Sequence, residues 1–240
     1  MNWESLFELL FPTRPVCHLC GSPGLAEPHI CLSCLTQIRN WQDSQAFCRH
    51  CGRWMPYRGV CEECREAPPL FRIARALGPY QDPLKRAVLA LKYQRRQRLA
   101  RTLGRLIGEQ MLREDLIKGL PVVIPVPMSY RRRKERGYNQ AELLARALAN
   151  CLKLPMANCL KKTRETPAQA GLDRQERLQN LFGAFTVTVG GMIRGKEVLL
   201  VDDVLTTGAT AGECARVLLS AGAAGVSVAA VAASFTRPLD

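Results

Sequence analysis

Asp202 and Asp203 stand side by side after the apolar run Val198–Val201, and Thr206, Thr207, Gly208, Ala209 and Thr210 follow three residues later. A buried strand that ends in two carboxylates places them at the sheet edge where open α/β folds hold ligands. Adjacent carboxylates make poor phosphate ligands but good acceptors for the hydrogen bonds of vicinal hydroxyls. A Thr/Gly loop entering a helix offers the complementary chemistry, because free backbone N–H groups and hydroxyls cradle an anion. Gly208 would let backbone approach that anion closely. Acids for a sugar beside a cradle for its phosphate describe a ribose-5-phosphate site. A Walker-type loop is disfavoured by the lack of Gly-Lys-Ser/Thr after the strand. The plainer alternative is that the aspartates merely end a strand at solvent.

A second chemistry lies near the other end of the chain. Of 11 cysteines, eight form the Cys-x-x-Cys pairs Cys17/Cys20, Cys31/Cys34, Cys48/Cys51 and Cys61/Cys64. A two-residue gap turns both sulfurs toward one ion, and two such knuckles complete a tetrahedral zinc site. The halves begin alike, Cys-His-Leu-Cys-Gly and Cys-Arg-His-Cys-Gly, with Gly21 and Gly52 after the second ligand. Sequential pairing is therefore expected: 17, 20, 31 and 34 on one zinc, and 48, 51, 61 and 64 on the other. An interleaved cross-brace stays open. Disulfides would require an oxidising compartment, a redox pair would need one such motif rather than four, and an iron–sulfur cluster is not excluded by spacing alone. His18, His29 and His50 are close enough to substitute, but the thiols already complete both sets. A segment this short has little core, so metal binding is expected to supply most of its folding free energy.

Charge and composition divide the chain in the same place. Residues 1–66 hold 6 basic and 7 acidic side chains, whereas the remainder of the overall +13 chain carries a net +14. Two modules are expected, 1–66 and 67–240, with the boundary near Pro68-Pro69. The basic body suits phosphate-rich partners. Met1–Pro15 has Glu4 and Glu8 and no base before Arg14, which is not a secretory signal, and no apolar run approaches the roughly 20 residues of a membrane span. A cytoplasmic protein is expected.

The elements that must position these groups follow from periodicity. Strands are expected at Phe71–Tyr80, Val122–Val126, Ala184–Val189, Glu197–Val201 and Gly225–Ala233. Helices are expected at Pro83–Tyr93, Leu99–Leu112, about 12 residues from Asn139, and Thr210–Ala221. Strands apolar on both faces that alternate with helices indicate α/β architecture, with a parallel sheet covered on both sides.

The 13 residues Val198–Thr210 match the 5-phosphoribosyl-1-pyrophosphate (PRPP) motif of type I phosphoribosyltransferases at every position. With the cysteine pairs, Leu91-Lys92-Tyr93, Arg136-Gly137-Tyr138-Asn139-Gln140, and Gln169 through Arg177 to Asn180 and Phe185, the chain resembles the ComF/GntX family of competence-related proteins. The resemblance covers most of the chain. It implies a type I phosphoribosyltransferase-like fold joined to a small N-terminal double zinc ribbon. It further implies PRPP with Mg²⁺ as ligand, Asp202 and Asp203 on the ribose, and Thr206–Thr210 on the 5-phosphate. Pro127 and Met128, with Arg131 and Arg136 from a run of five bases, would face pyrophosphate. A flexible loop over about 163–183, carrying Arg164, Gln169, Arg174 and Arg177, would close over the centre. If catalytic, the domain would displace pyrophosphate from the anomeric carbon with a nitrogen nucleophile; no general base is assigned. Only 234–240 follow the last expected strand, so no C-terminal base-recognising hood is expected, and the zinc module is one candidate for that role. The family's competence association implies DNA uptake or processing, with single-stranded DNA and competence proteins as partners. Lys85–Arg105, with eight Lys/Arg, Tyr93 and no acid, would suit DNA, although such a run also suits a solvated helix face.

Overall fold

The computed structural model describes residues 16–26, 29–44, 46–117, 119–165 and 174–236. Its elements are α1 (Leu32–Ser44), α2 (Glu62–Glu66), β1 (Ile73–Pro79), α3 (Leu84–Tyr93), α4 (Leu99–Arg113), β2 (Val122–Pro125), α5 (Tyr130–Arg136), α6 (Gln140–Leu152), β3 (Leu160–Lys162), α7 (Arg174–Leu181), β4 (Phe185–Val187), β5 (Glu197–Leu205), α8 (Ala209–Ser220) and β6 (Gly225–Ala233).

The strongest apolar runs make the sheet. Four parallel strands lie in the order β1-β6-β5-β2. β5 is interior, so it is apolar on both faces. Val198 and Leu200 join one core with Ala211, Cys214 and Leu218 of α8. Leu199 and Val201 join the other core with Leu84, Leu91, Leu103, Leu144 and Leu148 of α3, α4 and α6. The expected α/β fold with a covered parallel sheet is thus present.

Two local expectations need correction, and one segment left without an assignment gains a structure. The segment expected as a strand at 184–189 lies outside the central sheet: β4 pairs antiparallel with β3 in a separate ribbon. Its ladder is three residues long, and a short alternating run does not specify which partner it will find. β5 does not stop at the aspartates but continues through them to Leu205, because Asp202 and Leu205 pair with Ala230 and Ala233 of β6. The flank of a completed ladder holds the two acids in extended backbone. The basic run at 131–136 forms a helix, α5, whose Ser129 cap accepts from Arg132 N–H and whose C-cap is Gly137.

The cysteine-rich segment forms two knuckles carrying α1 and α2. Gly21 and Gly52 adopt φ of +80° and +69°, the left-handed turn that leaves paired thiols facing one point. This segment packs into the same cores as the sheet. Leu19, Ile30, Leu35 and Ile38 lie with α3 and α4, whereas Phe47 and Trp54 join the core that contains Val198 and Val226. Among the described residues, no helix is long and apolar enough to cross a membrane.

Candidate functional site

The thiols divide as sequential pairing requires. Sγ atoms of Cys17, Cys20, Cys31 and Cys34 lie within 4.8 Å of one another, as do those of Cys48, Cys51, Cys61 and Cys64. All eight are free thiols. A tetrahedron with Zn–S of about 2.3 Å has edges near ~3.8 Å, and the Cys17–Cys34, Cys20–Cys31 and Cys51–Cys61 separations are 3.9, 3.5 and 3.8 Å. Geometry and donor softness both fit structural zinc. The cross-brace alternative does not apply.

At the carboxyl edge of the sheet, β2 and β5 deliver their following loops side by side. Pro125 pairs with Val201, and Val126 N–H donates to Val201 C=O at 2.8 Å. Pro127 and Met128 therefore arrive beside Asp202 and Asp203, and all four line one cavity of about 790 Å³. Thr206, Thr210 and Arg136 line it too. Gly208 precedes α8 at φ +78°, a value that a side chain disfavours. The Thr207 hydroxyl accepts from Ala209 N–H at 3.3 Å, so the loop is partly organised by its own hydroxyl.

Arg136–Gln140 ties the cavity together. Asn139 caps α6 by accepting from Ala141 N–H at 3.0 Å, while its amide donates to Val126 C=O at 2.9 Å. Tyr138 donates its hydroxyl proton to Leu91 C=O. Arg136 donates to Gln140 at 2.6 Å and lies 5.5 Å from the Tyr93 ring centroid, close enough for cation–π attraction. Gln140 in turn donates to Asp203 Oδ2.

The two acids have different environments. Asp203 is buried and paired on its other oxygen with Lys92 Nζ at 3.0 Å. Asp202 accepts from Asp203 N–H at 2.7 Å. Burial first, and the neighbouring Asp203 charge second, push the Asp202 carboxyl up to about 7. Burial and nearby Arg132 lower the Lys162 ammonium at the opposite wall.

Other candidates lie elsewhere. Arg131 is exposed, ion-paired to Glu135 at 2.9 Å, and absent from the cavity lining. Arg164 is exposed and donates to the carbonyls of Asn180 and Phe182 at 2.9 and 3.0 Å. Gln169 lies outside the described residues, and only the helical backbone of Arg174 and Arg177 is described. The 163–183 segment joins the antiparallel pair β3–β4 and includes α7. Thr207, Gly208 and Ala209 belong to the loop without lining the cavity.

Sequence reasoning did not assign Lys92, Gln140, Arg95, Arg132 and Lys162, which all line the cavity. Lys92 and Gln140 stand in Leu91-Lys92-Tyr93 and Arg136–Gln140, two of the segments that carry the family resemblance, and that was the available signal. The Cys-rich segment supplies no lining residue among the described ones, and the aromatic lining comes from Tyr80, Tyr93 and Phe185 of the body.

A parallel sheet with these loops, joined to paired four-cysteine knuckles, defines a zinc-ribbon protein with a phosphoribosyltransferase-like domain. Family models agree: the double zinc ribbon domain matches residues 6–65 and the phosphoribosyl transferase domain matches residues 138–238. Competence protein F of Haemophilus influenzae is 33% identical over 217 residues, covering 88% of this chain and 93% of that protein. DNA utilization protein YhgH of Escherichia coli K12 is 33% identical over 219 residues, covering 89% and 94%. Competence protein ComFC of Bacillus subtilis is 30% identical over 225 residues, covering 93% and 85%. The chain belongs to this competence protein F family.

Proposed function

We propose that the cavity binds PRPP or a related ribose-5-phosphate group in a protein that serves DNA uptake or processing. The observation that carries the reading is the meeting of Asp202, Asp203, Thr206, Thr210, Pro127, Met128 and Arg136 around one cavity. Asp202 and Asp203 would accept from the ribose hydroxyls, and the 206–210 loop would hold the 5-phosphate through hydroxyls and N–H groups. Pro127, Met128 and Arg136 would face the pyrophosphate, with Arg131, Arg164, Gln169 and Arg177 as further candidates from the helix and closing loop. Asp203 is already engaged by Lys92 and Gln140. Of the two acids Asp202 is therefore the one left to meet a Mg²⁺ that PRPP would bring, and the residues present would not form a resident protein cage for it.

The DNA assignment draws on the relatives' names, competence protein F and DNA utilization protein. It also draws on Tyr93, Arg95 and Arg132 at the cavity wall, where a backbone phosphate and a stacked base would find partners. Free thiols suit a reducing compartment, in keeping with a cytoplasmic protein. We retain 1–66 and 67–240 as its two modules. A second reading, an active phosphoribosyltransferase on a nitrogenous base without a DNA role, is favoured by the cavity's volume, which leaves room for an acceptor.

Calorimetry with PRPP and Mg²⁺ tests the site. Binding by the native chain that is lost in Asp202→Asn/Asp203→Asn and in Thr206→Ala/Thr210→Ala supports it; equal affinity in all three rejects it. Single-stranded DNA titrated at two salt concentrations should bind more weakly at the higher one, and no binding at low salt removes that role. Pyrophosphate release on adding a base would select the enzymatic reading.

A further inference from the structure

The two cysteine knuckles meet the body differently. The first packs through Leu19, Ile30, Leu35 and Ile38 and adds only long hydrogen bonds, from Arg86 of α3 to Leu19 C=O at 3.5 Å and from Arg96, just beyond α3, to His18 C=O at 3.3 Å. The second is seated on the sheet edge. His50 C=O accepts from Ala74 N–H of β1 at 2.8 Å. Gly52 lies so close that a Cβ there would sit 2.5 Å from Ala74 O.

From this second knuckle a short path leads to the anion loop. Trp54 is 4% exposed and lies edge-to-face on Phe47, with ring centroids 5.6 Å apart. Cys48 N–H donates to Arg53 C=O at 2.8 Å, so the residue before Trp54 is bound to a thiol-bearing one. Trp54 runs parallel to Phe235, just beyond β6. Its backbone N–H donates to Ser234 C=O at 3.0 Å, and its backbone C=O accepts from Thr236 N–H at 2.7 Å. Ser234 then holds the loop after β5: its N–H donates to Leu205 C=O at 2.8 Å and its hydroxyl to Thr206 C=O at 2.9 Å. Three consecutive contacts therefore join the Cys48–Cys64 knuckle to the residue that opens the phosphate loop.

We infer that Ser234 is a positioning residue for the Thr206–Thr210 loop, with the Cys48–Cys64 knuckle as its anchor, so that the second metal site and the anion cradle stabilise each other, whereas the first metal site, packed on the opposite core, has no such hydrogen-bonded path to the loop among the described residues. The loop's carbonyls are fixed from one side, which orients the peptide planes that follow them. Donors ordered before an anion arrives need not be ordered by it. Coupling between two sites is reciprocal: an anion in the cradle should slow metal loss from the second knuckle. The inference rests on the proposed reading of the cradle as a phosphate site.

The test uses the full zinc-loaded chain and ribose 5-phosphate, without Mg²⁺, as the probe. Zinc release to a colorimetric chelator is followed with and without the probe, and its phases are assigned with Cys31→Ser and Cys61→Ser. We expect the probe to slow the second-knuckle phase severalfold and leave the first unchanged. Ser234→Ala should retain two zinc ions per chain, weaken the probe about threefold to tenfold and abolish the protection, while Ser234→Thr restores both. Equal slowing of both phases, or none despite calorimetric binding, overturns the coupling. If the probe does not bind, the phosphate reading fails separately. Amide exchange over 205–210 then decides the coupling: acceleration in Cys61→Ser but not in Cys31→Ser supports it, and equal rates overturn it.

Discussion

Asp202→Asn is expected to make the ligand-free protein more stable at alkaline pH while it removes a ribose acceptor. Burial and the adjacent Asp203 charge raise the Asp202 carboxyl from its ordinary 3.8 to about 7. Between those values the folded chain holds a proton that the unfolded chain has released. The free energy of unfolding therefore falls as pH rises through this window and levels off above about 7. At full strength the rise corresponds to roughly 4 kcal/mol. Asp202 retains partial solvent access, and screening there reduces the expected effect to about 1–2 kcal/mol. Asparagine does not titrate, and its side-chain oxygen can still accept the Asp203 N–H. Groups remote from Asp202, the cysteine clusters included, titrate alike in both proteins, so the difference between the two stability curves reports Asp202 together with the buried neighbours its charge acts on, Cys214 among them. Urea unfolding at pH 5 and pH 8 is the assay. The variant should gain about 1–2 kcal/mol on the native chain between the two pH values. Parallel curves, or a variant that loses ground at pH 8, would refute the argument. Confirmation would mean that the protein keeps a destabilising acid at this edge, a cost typical of positions kept for ligand binding.

Lys92→Ala strands the buried Asp203 carboxylate and should cost about 2–3 kcal/mol in denaturant unfolding; adding Asp203→Asn should recover part of that loss, and strict additivity would deny the pairing. Arg136→Ala should weaken PRPP at least about tenfold by calorimetry, as expected for a lost charge-assisted contact, whereas the outward-facing Arg131→Ala should change it little; the reverse order would move the pyrophosphate contact onto α5's exposed face. Gly208→Ala imposes a side chain at φ +78° and should cost about 1 kcal/mol, or about 2–4 °C in melting temperature. Chelation of zinc should lower the melting transition of the sheet as well as that of the ribbons, because Phe47 and Trp54 share a core with Val198 and Val226; an unmoved sheet transition in calorimetry would contradict that shared core.

Much of this protein is local and therefore legible in the chain. A two-residue gap between cysteines determines a knuckle whatever surrounds it, and the structure groups the eight sulfurs by neighbouring pairs. The apolar runs at 122–126, 197–201 and 225–233 could bury both faces only in a sheet covered on both sides, and they form one in parallel, with 197–201 and 225–233 inside and 122–125 at its edge. The Asp-Asp and Thr-Gly pattern located the edge where the cavity opens. What the chain could not disclose is how distant segments meet. The pairing of 184–189 depends on which three-residue edge lies nearby, and it joined β3 rather than the sheet. Arg131 and Arg136 look equivalent in a basic run, but a helical turn sends one to solvent and the other to the cavity. Lys92 reaches Asp203, and Trp54 reaches Ser234, only because the topology packs α3 on β6 and β1 beside the end of β5 and lays the second knuckle beside the end of β6. Periodicity reports which face of an element is apolar; the choice of neighbour for each polar tip is made by long-range packing, where no local pattern records it.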